Sequence, residues 1–142
     1  MKRALALLAF ASAFTLACSR PAPADRCERC GMKLDPAHAS WSAELITNDG
    51  TTHHYDAPRC ALEARRDLAT SVKELRVHEY YDTKMRSAND VVFVIGSDVD
   101  GPMGPDLVPV DPTKAKKFIA DHAAKRALPL AEITPTVLAE LH

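Results

Sequence analysis

The chain has 142 residues and a formal net charge of −1, with 18 Lys and Arg against 19 Asp and Glu. That length suits one ordinary domain with a modest core. No basic patch stands out, which argues against nucleic acid as a partner.

Residues 1–17 read as an export signal of the lipoprotein type. Lys2 and Arg3 form a basic start, Ala4 to Phe14 is an almost unbroken apolar run too short to span a membrane, and Leu16-Ala17-Cys18 places a small residue before a cysteine. Cys18 is the expected lipidation site, and an acylated cysteine there would anchor the protein to a membrane. Without Lys2 and Arg3, 16 basic residues face 19 acidic ones, so the mature chain is near −3. Residues 18–25, with Pro21 and Pro23 among small residues, read as a lipidated tether.

The folded part is expected to begin with Cys27-Glu-Arg-Cys30-Gly-Met32. Trp41 to Thr47 alternates as a strand does, Asn48-Asp49-Gly50 is a turn signal, and Thr51 to Tyr55 reads as the returning strand. Asp56 is expected to cap a helix with Pro58 in its first turn. Ala57, Cys60, Ala61, Ala64 and Leu68 then share one face of that helix. Arg76 to Tyr81, Val91 to Ile95 and Leu107 to Val110 read as strands of a second half, with Gly101-Pro-Met103-Gly-Pro105 as a loop. Asp111-Pro112 predicts a second helix with Ala115, Phe118, Ile119 and His122 on one face, and Thr134-Pro135 a short final one. The expected fold is α+β, two ββα-like halves packed together.

The chemistry gathers on sulfur. Cys27, Cys30 and Met32 lie within six residues, and Met103 sits among Gly and Pro where a core role is unnatural. With Cys18 lipidated, three cysteines remain, an odd number that argues against a complete disulfide framework. A C-x-x-C pair has four uses that stay open at this point. It can hold structural zinc, with Cys60 and His53 or His54 completing four ligands. It can be a redox pair, although a Pro-rich tether in place of a strand precedes it. It can form a plain disulfide. It can bind copper(I), a soft ion content with two or three thiolate, thioether or imidazole ligands. Thioethers do not form disulfides, so a mixed Cys/Met site suits an oxidising compartment. On the residues alone the metal set is Cys27, Cys30, Met32 and Met103, and the leading reading is a carrier rather than an enzyme. A thiol enzyme that cleaves carbon–mercury bonds would need an acid partner that no motif supplies.

Taken in order, Cys-x-x-Cys-Gly-Met at Cys27 to Met32, His54-Tyr-Asp56 with Cys60 after it, Tyr81-Asp-Thr83, and Gly101-Pro-Met-Gly-x-x-Leu107 before a helix holding Phe118 and His122 resemble the NosL family. These are copper-binding lipoproteins that assist maturation of nitrous-oxide reductase. The resemblance spans about residues 26–124, leaving 125–142 as an extension with a short helix. It implies a fold similar to the small ββα-type repeat of organomercurial lyase, and a copper(I) cargo. It also implies nitrous-oxide reductase or its maturation machinery as partner, and a place on the periplasmic face of a bacterial membrane. It points to Cys27 and Met103 as ligands and to His122 as a third. Where the family often has a glycine pair after that histidine, this chain has Ala123-Ala124.

Overall fold

The fold was taken from a computed structural model that describes residues 25–141. The signal segment, Cys18, most of the tether and His142 lie outside the described residues. β1 (Ala43–Thr47) and β2 (Thr52–Tyr55) form the expected hairpin, in register Ala43↔Tyr55 to Ile46↔Thr52. Ala43, Leu45 and Thr47 are buried in alternation, as a sheet with one covered face requires. The 3-10 turn Pro36–Trp41 leads into β1, so Trp41 belongs to that turn and not to the strand.

α1 (Pro58–Leu68) covers this sheet with Cys60, Ala61, Leu62 and Ala64. Its N-cap is Ala57, with no side chain to offer, so the capping role expected of Asp56 is not observed. β3 (Val72–His78) then returns beside β1, and β4 (Met85–Ser87) joins its outer edge. The antiparallel order is β2-β1-β3-β4. The segment read as opening a second half therefore completes the first sheet. Sequence spacing cannot reveal this, because a strand's partner lies elsewhere in the chain.

The second unit repeats the plan. β5 (Val92–Ile95) pairs with β8 (Val108–Val110) after a short excursion, α2 (Ala115–Asp121) follows, and β9 (Arg126–Pro129) returns beside β5, giving β8-β5-β9. Each unit is thus ββα plus a returning strand, and in both sheets the first strand is central. The excursion is a small hairpin, β6 (Asp100–Gly101) and β7 (Gly104–Pro105), where a loop was expected, with Pro102 and Met103 at its tip.

The boundary expected at residue 124 does not hold. β9 is a sheet strand, and Leu130, Val137, Leu138 and Leu141 belong to the larger core. The predicted short helix is α3 (Pro135–Ala139), where the Thr134 hydroxyl accepts the Val137 N–H at 3.3 Å.

β5 is buried on both sides. Phe93 and Ile95 join Leu45, Leu75, Val77 and Leu138, whereas Val94 joins Val108, Val110 and Phe118. Its continuous apolar run is explained by that double burial. One charged residue pins the units together. Glu79 is fully buried just after β3; its Oε2 accepts the N–H groups of Tyr81 and Asp82, each at 2.9 Å, and its Oε1 accepts the Asp111 N–H at 3.1 Å. α2 ends on His122, and Ala123 takes the left-handed conformation (φ 49°) that a glycine would adopt more cheaply.

Candidate metal centre

The Cys27–Met32 loop is a closed turn held to the sheet. Arg26 pairs with Lys33 as an antiparallel bridge, the Cys27 N–H donates to the Met32 carbonyl (2.8 Å), and the Gly31 N–H donates to the Cys27 carbonyl (2.9 Å). Gly31, at φ 76°, makes the reversal without the strain a side chain would bring. Glu28 clamps the loop to β2: its Oε1 accepts the His54 N–H at 3.1 Å, and its Oε2 lies 2.6 Å from His53 Nδ1. Arg29 clamps it to α1 through Glu63 and Asp67. His53 is held by Glu28 through Nδ1 and is not among the ligand groups gathered below.

These clamps bring Cys27 and Cys30 to the start of α1, where Cys60 is the third helical residue, and to Asp56 after β2. Ligand atoms of Cys27, Cys30, Asp56 and Cys60 all lie within 4.8 Å of one another. All three described cysteines are free; Cys27 and Cys60 are buried and Cys30 is exposed. The Cys30 thiol donates to Asp56 Oδ1 at 3.5 Å, while Asp56 Oδ2 is buried without a partner. An orphaned buried carboxylate oxygen beside three thiols is the environment a cation would relieve.

The thiols are not equivalent. The Cys60 thiol, by hydrogen bonding to Cys27, holds Cys27 down to about 6 against the opposing effect of burial. Burial, then the neighbouring Cys27 and Asp56, push Cys30 up to about 11. Cys27, above all, and burial push Cys60 upward as well. The cluster thus carries one ready thiolate at neutral pH and two thiols in reserve. Replacing Cys60 by alanine removes the donor. The lowest thiol pKa of the reduced protein is then expected to rise from about 6 toward the ordinary 9.0. Thiolate ultraviolet absorbance followed against pH checks this; an unmoved titration would remove Cys60 from the cluster's electrostatics.

A groove of about 570 Å³ opens beside the cluster, with Met32, Leu34, His54, Tyr55, Asp56 and Pro102 among its walls. Met32 and Met103 are each 40% exposed, among the few large apolar side chains so placed. Neither plugs the core. Pro102, next to Met103, shares the groove with Met32 and Asp56, so the hairpin tip stands over the same opening.

His122 is not brought to this cluster. Its Nδ1 lies 2.9 Å from Asp98 Oδ1, its Nε2 lies 3.5 Å from the Tyr80 hydroxyl, and its ring packs on Phe118 at 4.4 Å between centroids. The structure therefore gives the third-ligand expectation no support: both ring nitrogens have partners elsewhere. Asp98 is one of them. Cys60 and Asp56 were the members that the sequence undervalued. Cys60 was placed on the apolar face of its helix and offered only to the zinc alternative, and Asp56 was read as a helix cap; only the convergence of three segments distinguishes them.

Comparison with known proteins agrees with this architecture. The fold matches the crystal structure of the copper chaperone NosL from Shewanella denitrificans with a TM-score of 0.61, over 78% of this chain and 90% of that one, at 22% sequence identity. No curated protein sequence matches the chain. The NosL family profile matches residues 20–138, nearly all of the segment that follows the predicted signal, and on that match the chain belongs to the NosL family.

Proposed function

We propose that this chain is a copper(I) carrier that loads at the Cys27 cluster and delivers its ion to nitrous-oxide reductase or the machinery that matures it. One observation carries the reading: the convergence of three free thiols and a carboxylate, ligand atoms within 4.8 Å of one another, at the edge of a groove that Met32 lines. Thiolate and thioether sulfur favour copper(I) over harder ions. Cys27 and Cys60 supply buried thiols, Cys30 is reachable from solvent, and Met103 with Met32 offers thioethers at the opening. A site with one thiolate and spare thiols beside an open groove suits an ion that is handed on and not kept. Titration of the reduced protein with copper(I) against a chromophoric chelator is expected to give one ion per chain with Kd below about 1 nM.

Three cysteines with one carboxylate also make a four-ligand set acceptable to zinc. One zinc per chain retained through purification without added metal, and not displaced by copper(I), would overturn the carrier reading in favour of a zinc adaptor. The carrier is further proposed to sit on the periplasmic face of a bacterial membrane through lipid on Cys18. Cys18→Ala is expected to move the protein from the membrane fraction to the soluble periplasmic fraction. Retention in the membrane fraction would sink the anchor.

A further inference from the structure

Asp106 stands between the thiol cluster and the hairpin that carries Met103. It is 3% exposed. Its Oδ1 accepts two N–H groups, that of Leu107 at 2.7 Å and that of Arg59 at 3.1 Å. Arg59 is the second residue of α1 and immediately precedes Cys60. The first turn of a helix has N–H groups with no intrahelical acceptor, and Ala57 supplies none from its side chain. The acceptor therefore arrives from 47 residues away.

The same side chain supports the hairpin. A Cβ on Gly101 would lie 3.1 Å from Asp106 Cβ, 3.3 Å from its Oδ2 and 3.4 Å from the Trp41 ring. Gly101 does not have the positive φ that marks Gly31 and Gly104, so this close approach is what its missing side chain permits. One carboxylate thus touches the helix of Cys60 and the strand that leads into Met103.

We propose that Asp106 is a positioning residue for copper(I) binding: it caps the first turn of α1 and bears Gly101 of the hairpin, and so sets the Met103 thioether against the thiol cluster. This rests on the copper(I) reading above, with Met103 as a ligand. The role needs an acceptor of the right shape and not a charge. Asparagine caps helices as well as aspartate and has nearly its volume, whereas alanine loses the cap and leaves a void under Gly101.

The test is a double-mutant cycle on the reduced full chain, read as copper(I) affinity by chelator competition and as sulfur coordination number by X-ray absorption. Met103→Ala and Asp106→Ala are each expected to lower affinity about ten- to a hundredfold, the range for losing a supporting contact at a metal site. Each is expected to lose one sulfur from the copper shell. The double variant is expected to fall no further than either single one, because both remove the same contact. Asp106→Asn is expected to bind within about threefold of the parent, by the asparagine-cap argument. Gly101→Ala leaves the Asp106 carboxylate in the chain and presses a methyl against it from the hairpin side; it is expected to reproduce the sulfur loss and serves as the probe if Asp106→Ala fails to fold. Additive losses in the double variant, an Asp106→Asn variant as weak as the alanine one, or an unchanged sulfur count in both Asp106→Ala and Gly101→Ala would each overturn the proposal. Undiminished binding in Cys27→Ser overturns the copper reading and this inference with it. Dependence on Cys27 with additive Asp106 and Met103 losses overturns this inference alone.

Discussion

Replacing Cys27 by serine is expected to weaken copper(I) binding by more than about a hundredfold, beyond what removing a supporting contact takes away. Serine preserves size but offers a hard oxygen in place of a soft thiolate. Cys27 is 1% exposed and is the thiol held near 6, so at neutral pH it is the one thiol in the cluster already deprotonated. Cys30→Ser should weaken binding less, because that thiol is exposed and pushed up to about 11. His122→Ala should leave the affinity where it was, since its ring nitrogens serve Asp98 and Tyr80. Chelator competition on the three reduced variants measures all of this. The pH dependence adds a count of thiols. Above about pH 6 Cys27 no longer contributes a proton, so each further cysteine recruited as thiolate releases one, and affinity should rise about tenfold per pH unit for each. A Cys27→Ser protein that binds as tightly as the parent would place the ion elsewhere.

The second large effect is on stability and concerns Glu79. Three backbone N–H groups converge on its buried carboxylate, from Tyr81, Asp82 and Asp111. Alanine would leave all three without an acceptor in a place that excludes water, at about 1 kcal/mol or more for each. The expected loss is about 3 kcal/mol or more, with a Tm lower by on the order of 10 °C for a domain of this size. Glu79→Gln retains one carbonyl oxygen and should fall between parent and alanine. Because Asp111 lies after β8 while Tyr81 and Asp82 follow β3, the damage should reach both sheets together. Thermal unfolding followed by circular dichroism tests this, and a Glu79→Ala protein within about 1 kcal/mol of the parent would show that solvent or neighbours satisfy those donors.

Local patterns were legible and long-range partnerships were not. The β1–β2 hairpin followed from alternation around Asn48-Asp49-Gly50, and β5 from its apolar run. The helices α1, α2 and α3 were found with ends shifted: α2 starts at Ala115, because Asp111 accepts the Thr113 N–H and hydroxyl in a turn that precedes the helix. β9 was missed because Arg-Ala-Leu-Pro has neither alternation nor a β-branched residue; it is a strand because β5 offers it an edge. At the site, Cys27, Cys30 and Met32 are close in sequence and were visible as a group. Cys60 entered only as a zinc alternative, since an apolar helical face looks the same whether its thiol packs inertly or meets two others. Asp106 gave no signal at all, because its helix begins at Pro58.

The recurring strand order has a last implication, visible at two matching corners. Asp56 directly follows β2 and Asp111 directly follows β8, each just ahead of a proline and its unit's helix. The corner at Asp111 is self-sufficient: Thr113 and Arg86 occupy its carboxylate. The corner at Asp56 keeps one oxygen bare. Among the described residues, then, the same corner recurs in both units, closed in one by its own neighbours and left open in the other.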